Sequence, residues 1–109
     1  MKNFFLGGLT AMLALGFLAM GSLTAKAQDG AMLYQTKTCV ACHGKDAKTP
    51  LLPEYPKISG QNEKYIVNQM MDIKTGKRNN GNSAAMQGVM SLVSEAEIQA
   101  IAKWLATLK

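Results

Sequence analysis

Cys39-Val40-Ala41-Cys42-His43 places two thiols three positions apart and an imidazole directly after the second. Thiols at this spacing can add to the two vinyl groups of a porphyrin as thioethers, and the adjacent imidazole can bind its iron from the same turn of backbone. The pentapeptide contains every cysteine and histidine of the chain, which has 2 Cys and 1 His. A structural zinc wants four such ligands, usually as two separated pairs, and none remains after these three. A thioredoxin-like dithiol is expected beside the strand and helix of a βαβ unit, and the flanking sequence shows no such unit. Covalent attachment of one haem c is the reading that uses all three side chains.

Upstream, Lys2 precedes an apolar run from Phe4 to Met20, and Ala25-Lys26-Ala27 offers the small-x-small pattern of a signal-peptidase site. Residues 1–27 therefore read as a cleaved signal peptide and residues 28–109 as the mature domain, with an uncleaved membrane anchor as the alternative. Gly7, Gly8, Thr10 and Gly16 dilute the run and favour removal, which leaves no membrane segment. Either way the domain is exported, with the periplasm as its expected location. There, thioether formation keeps the two thiols from closing a disulfide. Loss of Lys2 and Lys26 lowers the formal net charge from +5 to +3, modestly basic and unlike a nucleic-acid binder. About eighty residues remain, a size at which an apolar core alone is marginal and a bound cofactor can complete it.

The rest of the pattern is helical. Gly30 to Thr38 reads as a short helix leading into the attachment motif, and Pro50, Pro53 and Pro56 make residues 44–59 a loop. Gln61 to Thr75 is the next expected helix, with Ile66, Met70 and Ile73 on one stripe, Gly76 as its stop and Lys74 as a favourable last-turn charge. The polar run Lys77 to Ser83 is expected to be surface loop. Ser94 with Glu97 three residues on is a capping-box signature, and Ile98, Ile101, Ala102, Leu105 and Leu108 follow at helical spacing. No segment alternates as a half-buried strand does, so the expected fold class is all-α.

Taken in order, these residues resemble the class I cytochromes c, in particular the bacterial monohaem types and single domains of the c4 and c553 cytochromes. The resemblance is carried by Gly30, Leu33-Tyr34, the attachment motif with Gly44, Pro56 to Gln61, Tyr65, Gln69 to Arg78 and a Ser-x-x-Glu helix with a late Trp104. It covers nearly all of residues 28–109. It implies three to five helices wrapped around one covalent haem c, the first and last crossing and the haem lying edge-out between loops. Cys39 and Cys42 would then be the thioether anchors and His43 the proximal iron ligand. Pro56 matches the proline whose carbonyl accepts a hydrogen bond from that histidine, although a loop proline with no such role stays open. Tyr34 and Trp104 match the aromatic partners at the helix crossing.

Five methionines follow the expected signal peptide: Met32, Met70, Met71, Met86 and Met90. Met32 is too near the proximal turn, and Met70 and Met71 fall where the family has packing residues. Relatives place the distal ligand about two helical turns before the serine cap, which implies Met86, eight residues before Ser94, with Met90 as the runner-up. A haem closed by His and Met leaves no position for a substrate, so the expected function is one-electron transfer and not enzymatic catalysis. A haem c subunit of a multi-subunit oxidoreductase, or an open-site catalytic haem protein, is the alternative. Asp29, Asp46, Glu54, Glu63, Asp72, Glu95 and Glu97 are scattered or sit at helix starts, without an arrangement for acid–base work. Lys37, Lys45, Lys48, Lys57, Lys77 and Arg78 flank the expected haem-contact segments and could steer a redox protein with an acidic docking face toward a monomeric carrier.

Overall fold

Asp29 opens the first helix, its Oδ1 accepting the amide N–H of Ala31 at 3.0 Å and of Met32 at 3.3 Å. The computed structural model describes residues 29–109, so the expected signal peptide over 1–27 lies outside the described residues. Five helices follow in chain order: α1 (Gly30–Thr36), α2 (Cys39–His43), α3 (Glu63–Lys74), α4 (Ser83–Met90) and α5 (Glu95–Thr107). The described residues contain no strand, and the fold is all-α. Among them, no helix is long and apolar enough to cross a membrane.

The anticipated helix over 30–38 ends at Thr36, and the attachment motif after it forms a second helix. Thr38 takes φ 67°, in the left-handed region, and this joint lets α2 leave α1 in a new direction. Helix α3 starts at Glu63, where the Asn62 side chain accepts the N–H of Tyr65 at 3.0 Å, and stops at the Gly76 turn with φ 80°. Its stripe of Ile66, Met70 and Ile73 is buried as expected. Ser94 and Glu97 form the reciprocal capping box at the head of α5, with bonds of 2.9 and 3.2 Å. Ile98, Ile101, Ala102 and Leu105 are buried along it, whereas Leu108 has already left the helix as an extended, partly buried cap. One helix was not anticipated: α4 begins inside the expected surface loop, and its Ser83 is buried.

Helix α5 packs on both α1 and α3, while α4 packs on α3 alone among the helices. The α1–α5 crossing is close at Gly30, where a Cβ would collide with the carbonyl of Ala100 and with Cβ of Trp104. Beside it the rings of Tyr34 and Trp104 meet at 5.0 Å between centroids and 49° between planes, a tilted pair worth about 0.5–1.5 kcal/mol beyond its buried area. The long connection between α2 and α3 has its own order despite its three prolines. Asp46 accepts the backbone N–H of Lys48 at 2.8 Å and of Thr49 at 2.9 Å, and the buried Ala47 offers its carbonyl to the amides of Ile58 and Ser59. The amide of Gly60 then reaches the carbonyl of Leu105 at 2.8 Å, tying the loop to the end of α5.

Two predictions follow from these contacts. Gly30→Ala must push the crossing helices apart, and chemical denaturation should show a loss of at least about 1–3 kcal/mol, the usual range for overpacking. Asp46 and Glu97 are both held below the ordinary carboxylate range, mainly by the N–H groups of Lys48 and Thr49 for the first and of Ser94 for the second. A depressed carboxyl contributes stability that is complete above its unfolded value, near pH 4, and that is lost as pH falls through the folded value. The stability gap between wild type and Asp46→Asn should accordingly be widest above about pH 5 and narrow on acidification; a gap that grows toward acid would contradict it.

Candidate haem site

Two residues after α1, the attachment motif is itself a helix. Cys39–His43 forms α2, whose exit is set by Gly44 at φ 84°, where a Cβ would strike the carbonyl of Thr49. The carbonyl of Gly44 in turn accepts the phenolic O–H of the fully buried Tyr34 at 2.5 Å. Burial raises the Tyr34 phenol to about 12, aided by the charges of Cys39 and Asp46, so it stays a neutral donor. The start of α2 is thus fixed by its joint with α1 and its end by a side chain from α1.

His43 is buried, and its Nδ1 lies 3.0 Å from the carbonyl oxygen of Pro56. A carbonyl can only accept, so Nδ1 carries the proton and Nε2 keeps its lone pair. That is the tautomer in which an imidazole binds a metal while its far nitrogen is held in place. Cys39 and Cys42 are both free thiols, the first partly buried and the second exposed, and burial pushes the Cys39 thiol up.

These three residues line one cavity of about 560 Å³, within the range that cofactor-sized ligands fill. Its walls are mostly apolar, with Ile66, Met70 and Ile73 from α3, Ile101 and Leu105 from α5, and Met86 and Val89 from α4. Gln61, Gln69, Asn80 and Arg78 add polar groups, and Arg78 donates to the Gln69 side chain at 3.0 Å. Two thiols, one imidazole with a free Nε2 and an apolar chamber between helices are what a covalent porphyrin requires, so the residues present fit haem c. No group of three or more His, Cys, Asp or Glu side chains placed to hold a bare metal ion occurs among the described residues.

The structure brings Cys39, Cys42, His43, Pro56, Met86 and Met90 to this one cavity. It separates the two methionines by environment: Met90 is only 1% exposed within the apolar core, whereas Met86 is partly buried against that core and retains accessible surface. Helix α4, which delivers Met86, was missed because the polar run before it hides its start and no side-chain cap marks it. One residue of the expected basic rim belongs elsewhere. Lys37 is engaged with Glu97 at 3.3 Å and with the carbonyl of Leu92 at 3.1 Å, an intramolecular role. Lys57 and Arg78 do line the cavity, and Lys45, Lys48 and Lys77 are exposed.

Comparison with known proteins agrees with this geometry. The chain is 35% identical over 98 residues to cytochrome c4 of Pseudomonas aeruginosa, covering 90% of this chain and 46% of that protein. It is 30% identical over 91 residues to cytochrome c-553 of Nitratidesulfovibrio vulgaris, covering 84% of this chain and 87% of the relative. The crystal structure of reduced recombinant cytochrome c4 from Pseudomonas stutzeri superposes with a TM-score of 0.67 at 28% identity, over 78% of this chain and 49% of that one. The chain thus spans about half the length of the c4 relatives it matches. The sequence profile of the Cytochrome c family matches residues 27–109, and the chain belongs to that family, whose cofactor is a covalently bound haem c.

Proposed function

We propose that this protein is a one-electron carrier working outside the cytoplasm, with its haem anchored through Cys39 and Cys42 and ligated by His43 and Met86. The observation that carries the reading is the hydrogen bond from His43 Nδ1 to the Pro56 carbonyl, which leaves Nε2 as the free donor in an apolar cavity that Met86 also lines. The haem supplies a reversible Fe(III)/Fe(II) couple when bound.

The chain's own residues account for the remainder. Thioether links from Cys39 and Cys42 would hold the group to α2 at two points, so that neither oxidation state can dissociate. Pro56, by accepting the hydrogen bond from Nδ1–H, fixes the ring orientation of His43 and makes Nε2 the better donor. Ile66, Met70, Ile73, Ile101 and Leu105 exclude water from the inner walls, and a low-dielectric surround disfavours the extra positive charge of the oxidised state. A thioether from Met86 would favour the reduced state further and would leave no open position on the iron for a substrate. Met90 is the weaker candidate because a side chain 1% exposed in the core is already committed to packing.

The Ala25-Lys26-Ala27 pattern supports export and cleavage, which gives a mature periplasmic domain over 28–109. Similarity to the short cytochrome c-553 supports a free-standing monomer over a subunit of a larger oxidoreductase. Its partners would be redox proteins with acidic docking faces, drawn by Lys45, Lys48, Lys57, Lys77 and Arg78.

Met86→Ala should open the distal position of the holoprotein. The sulfur-to-iron charge-transfer band should disappear, the potential should fall, and the reduced protein should bind carbon monoxide. Met90→Ala should keep the band and lose on the order of 2–5 kcal/mol of stability, as buried methionine truncations do. The reverse pattern assigns Met90, and a spectrum indifferent to both substitutions supports the open-site alternative. For docking, the second-order rate of electron transfer to an acidic redox protein should fall as salt rises, since screening sets in over about 8 Å at physiological ionic strength. A rate independent of salt would remove the basic rim from the mechanism.

A further inference from the structure

Lys74 is the last residue of α3, but its ammonium does not serve its own helix. Nζ donates to the carbonyl of Met90 at 3.0 Å and to that of Val93 at 2.6 Å. Met90 is the final residue of α4, and Val93 lies in the connection to α5. One partly buried cation therefore bridges the C-terminal end of α4 and the segment that follows it.

The rest of α4 is lightly held. It is two turns long, Asn82 makes no side-chain bond at its start, and it packs on no helix but α3. An eight-residue helix is unstable in isolation, so its position must come from tertiary contacts. Packing on α3 and the buried side chains of Ser83 and Met90 supply these contacts, and Lys74 adds a polar one at the C-terminal end. The cation also sits at the negative, C-terminal end of α4: the Met90 carbonyl there accepts the N–H of Val93 at 3.1 Å, and the charge-assisted bond from Lys74 adds to it. Met86 stands one turn before Met90 on the same face, so whatever fixes Met90 fixes Met86.

We propose that Lys74 is a positioning residue for the distal thioether: by clamping the end of α4 it holds Met86 in place and slows its departure from iron. The inference rests on the assignment of Met86 as the distal ligand. Because Lys74 itself does not line the cavity, its effect passes through the backbone of α4.

The test uses ferric holoprotein and imidazole as the probe, followed by loss of the sulfur-to-iron band. At saturating imidazole the rate is limited by release of the native ligand. Lys74→Met keeps the aliphatic stem and removes the donors. It should raise that limiting rate by at least roughly tenfold, the factor that corresponds to one charge-assisted hydrogen bond. Ile98→Val, which loosens the core on α5 without lining the cavity, should leave the rate within about twofold and serves as the control for general destabilisation. Lys74→Gln, too short to span both carbonyls, carries the same test with the same threshold if Lys74→Met yields no holoprotein. A Lys74 variant no faster than Ile98→Val overturns the proposal. Met86→Ala run alongside separates the two assignments. If it binds imidazole without a release-limited phase while the Lys74 variant matches wild type, only the role of Lys74 fails; if it keeps wild-type kinetics, the Met86 assignment fails and takes this proposal with it.

Discussion

Gly30 lacks a side chain where the carbonyl of Ala100 and the Cβ of Trp104 fill the space one would need. That approach lets the two ends of the described domain cross in contact, and the rest of the fold hangs on it. Helix α5 can rest on α1 and α3 together only at this separation, and α1 is tied to α2 through a two-residue joint. The position of the attachment helix is thus inherited from the crossing. Tyr34 makes the link explicit: its ring meets that of Trp104 on α5 at a tilt, and its hydroxyl holds the carbonyl that follows His43. A chain of this size has little apolar core to spare, and it arranges that core as one wall of a cavity.

What could be read from the residues alone was whatever is written locally. Cys39, Cys42 and His43 declare themselves because they are the chain's only such ligands, the α5 cap because Ser94 and Glu97 satisfy each other, and the α3 stripe because Ile66, Met70 and Ile73 repeat at helical spacing. Helix α4 was illegible for the opposite reason. Ser83-Ala84-Ala85-Met86-Gln87-Gly88-Val89-Met90 carries no charge and a glycine in its second turn, and it follows a polar run that reads as loop. Its stability comes from α3 and from Lys74, neither of which is visible in the segment itself. The lysines show the same division. Lys74 looked like a last-turn charge for its own helix and Lys37 like part of a surface rim, yet both ammonium groups reach carbonyls of the α4–α5 connection that lie far along the chain. Long flexible side chains have few local constraints, so sequence spacing says little about where they end.

The family match places the cofactor, and the geometry explains how so short a chain holds it. On one side of the cavity, His43 is buried, hydrogen-bonded to Pro56 and set in a helix tied at both ends. The opposite side is built from a two-turn helix secured mainly at its far end. The two thiols and the imidazole thus stand on the firmer wall of the cavity and Met86 on the more lightly held one.

Two residues other than glycine adopt left-handed backbone conformations among the described residues, Thr38 at φ 67° and Ala47 at φ 58°. They stand on either side of the attachment motif. Each such residue costs about 1–2 kcal/mol relative to ordinary backbone geometry, and a β-branched threonine is among the least suited to it. Contacts on both sides compensate: Tyr34 holds the carbonyl of Gly44, and the buried Ala47 takes the amides of Ile58 and Ser59 on its own carbonyl. Because these two joints flank Cys39, Cys42 and His43, relaxing either one would re-aim all three side chains away from their common cavity at once.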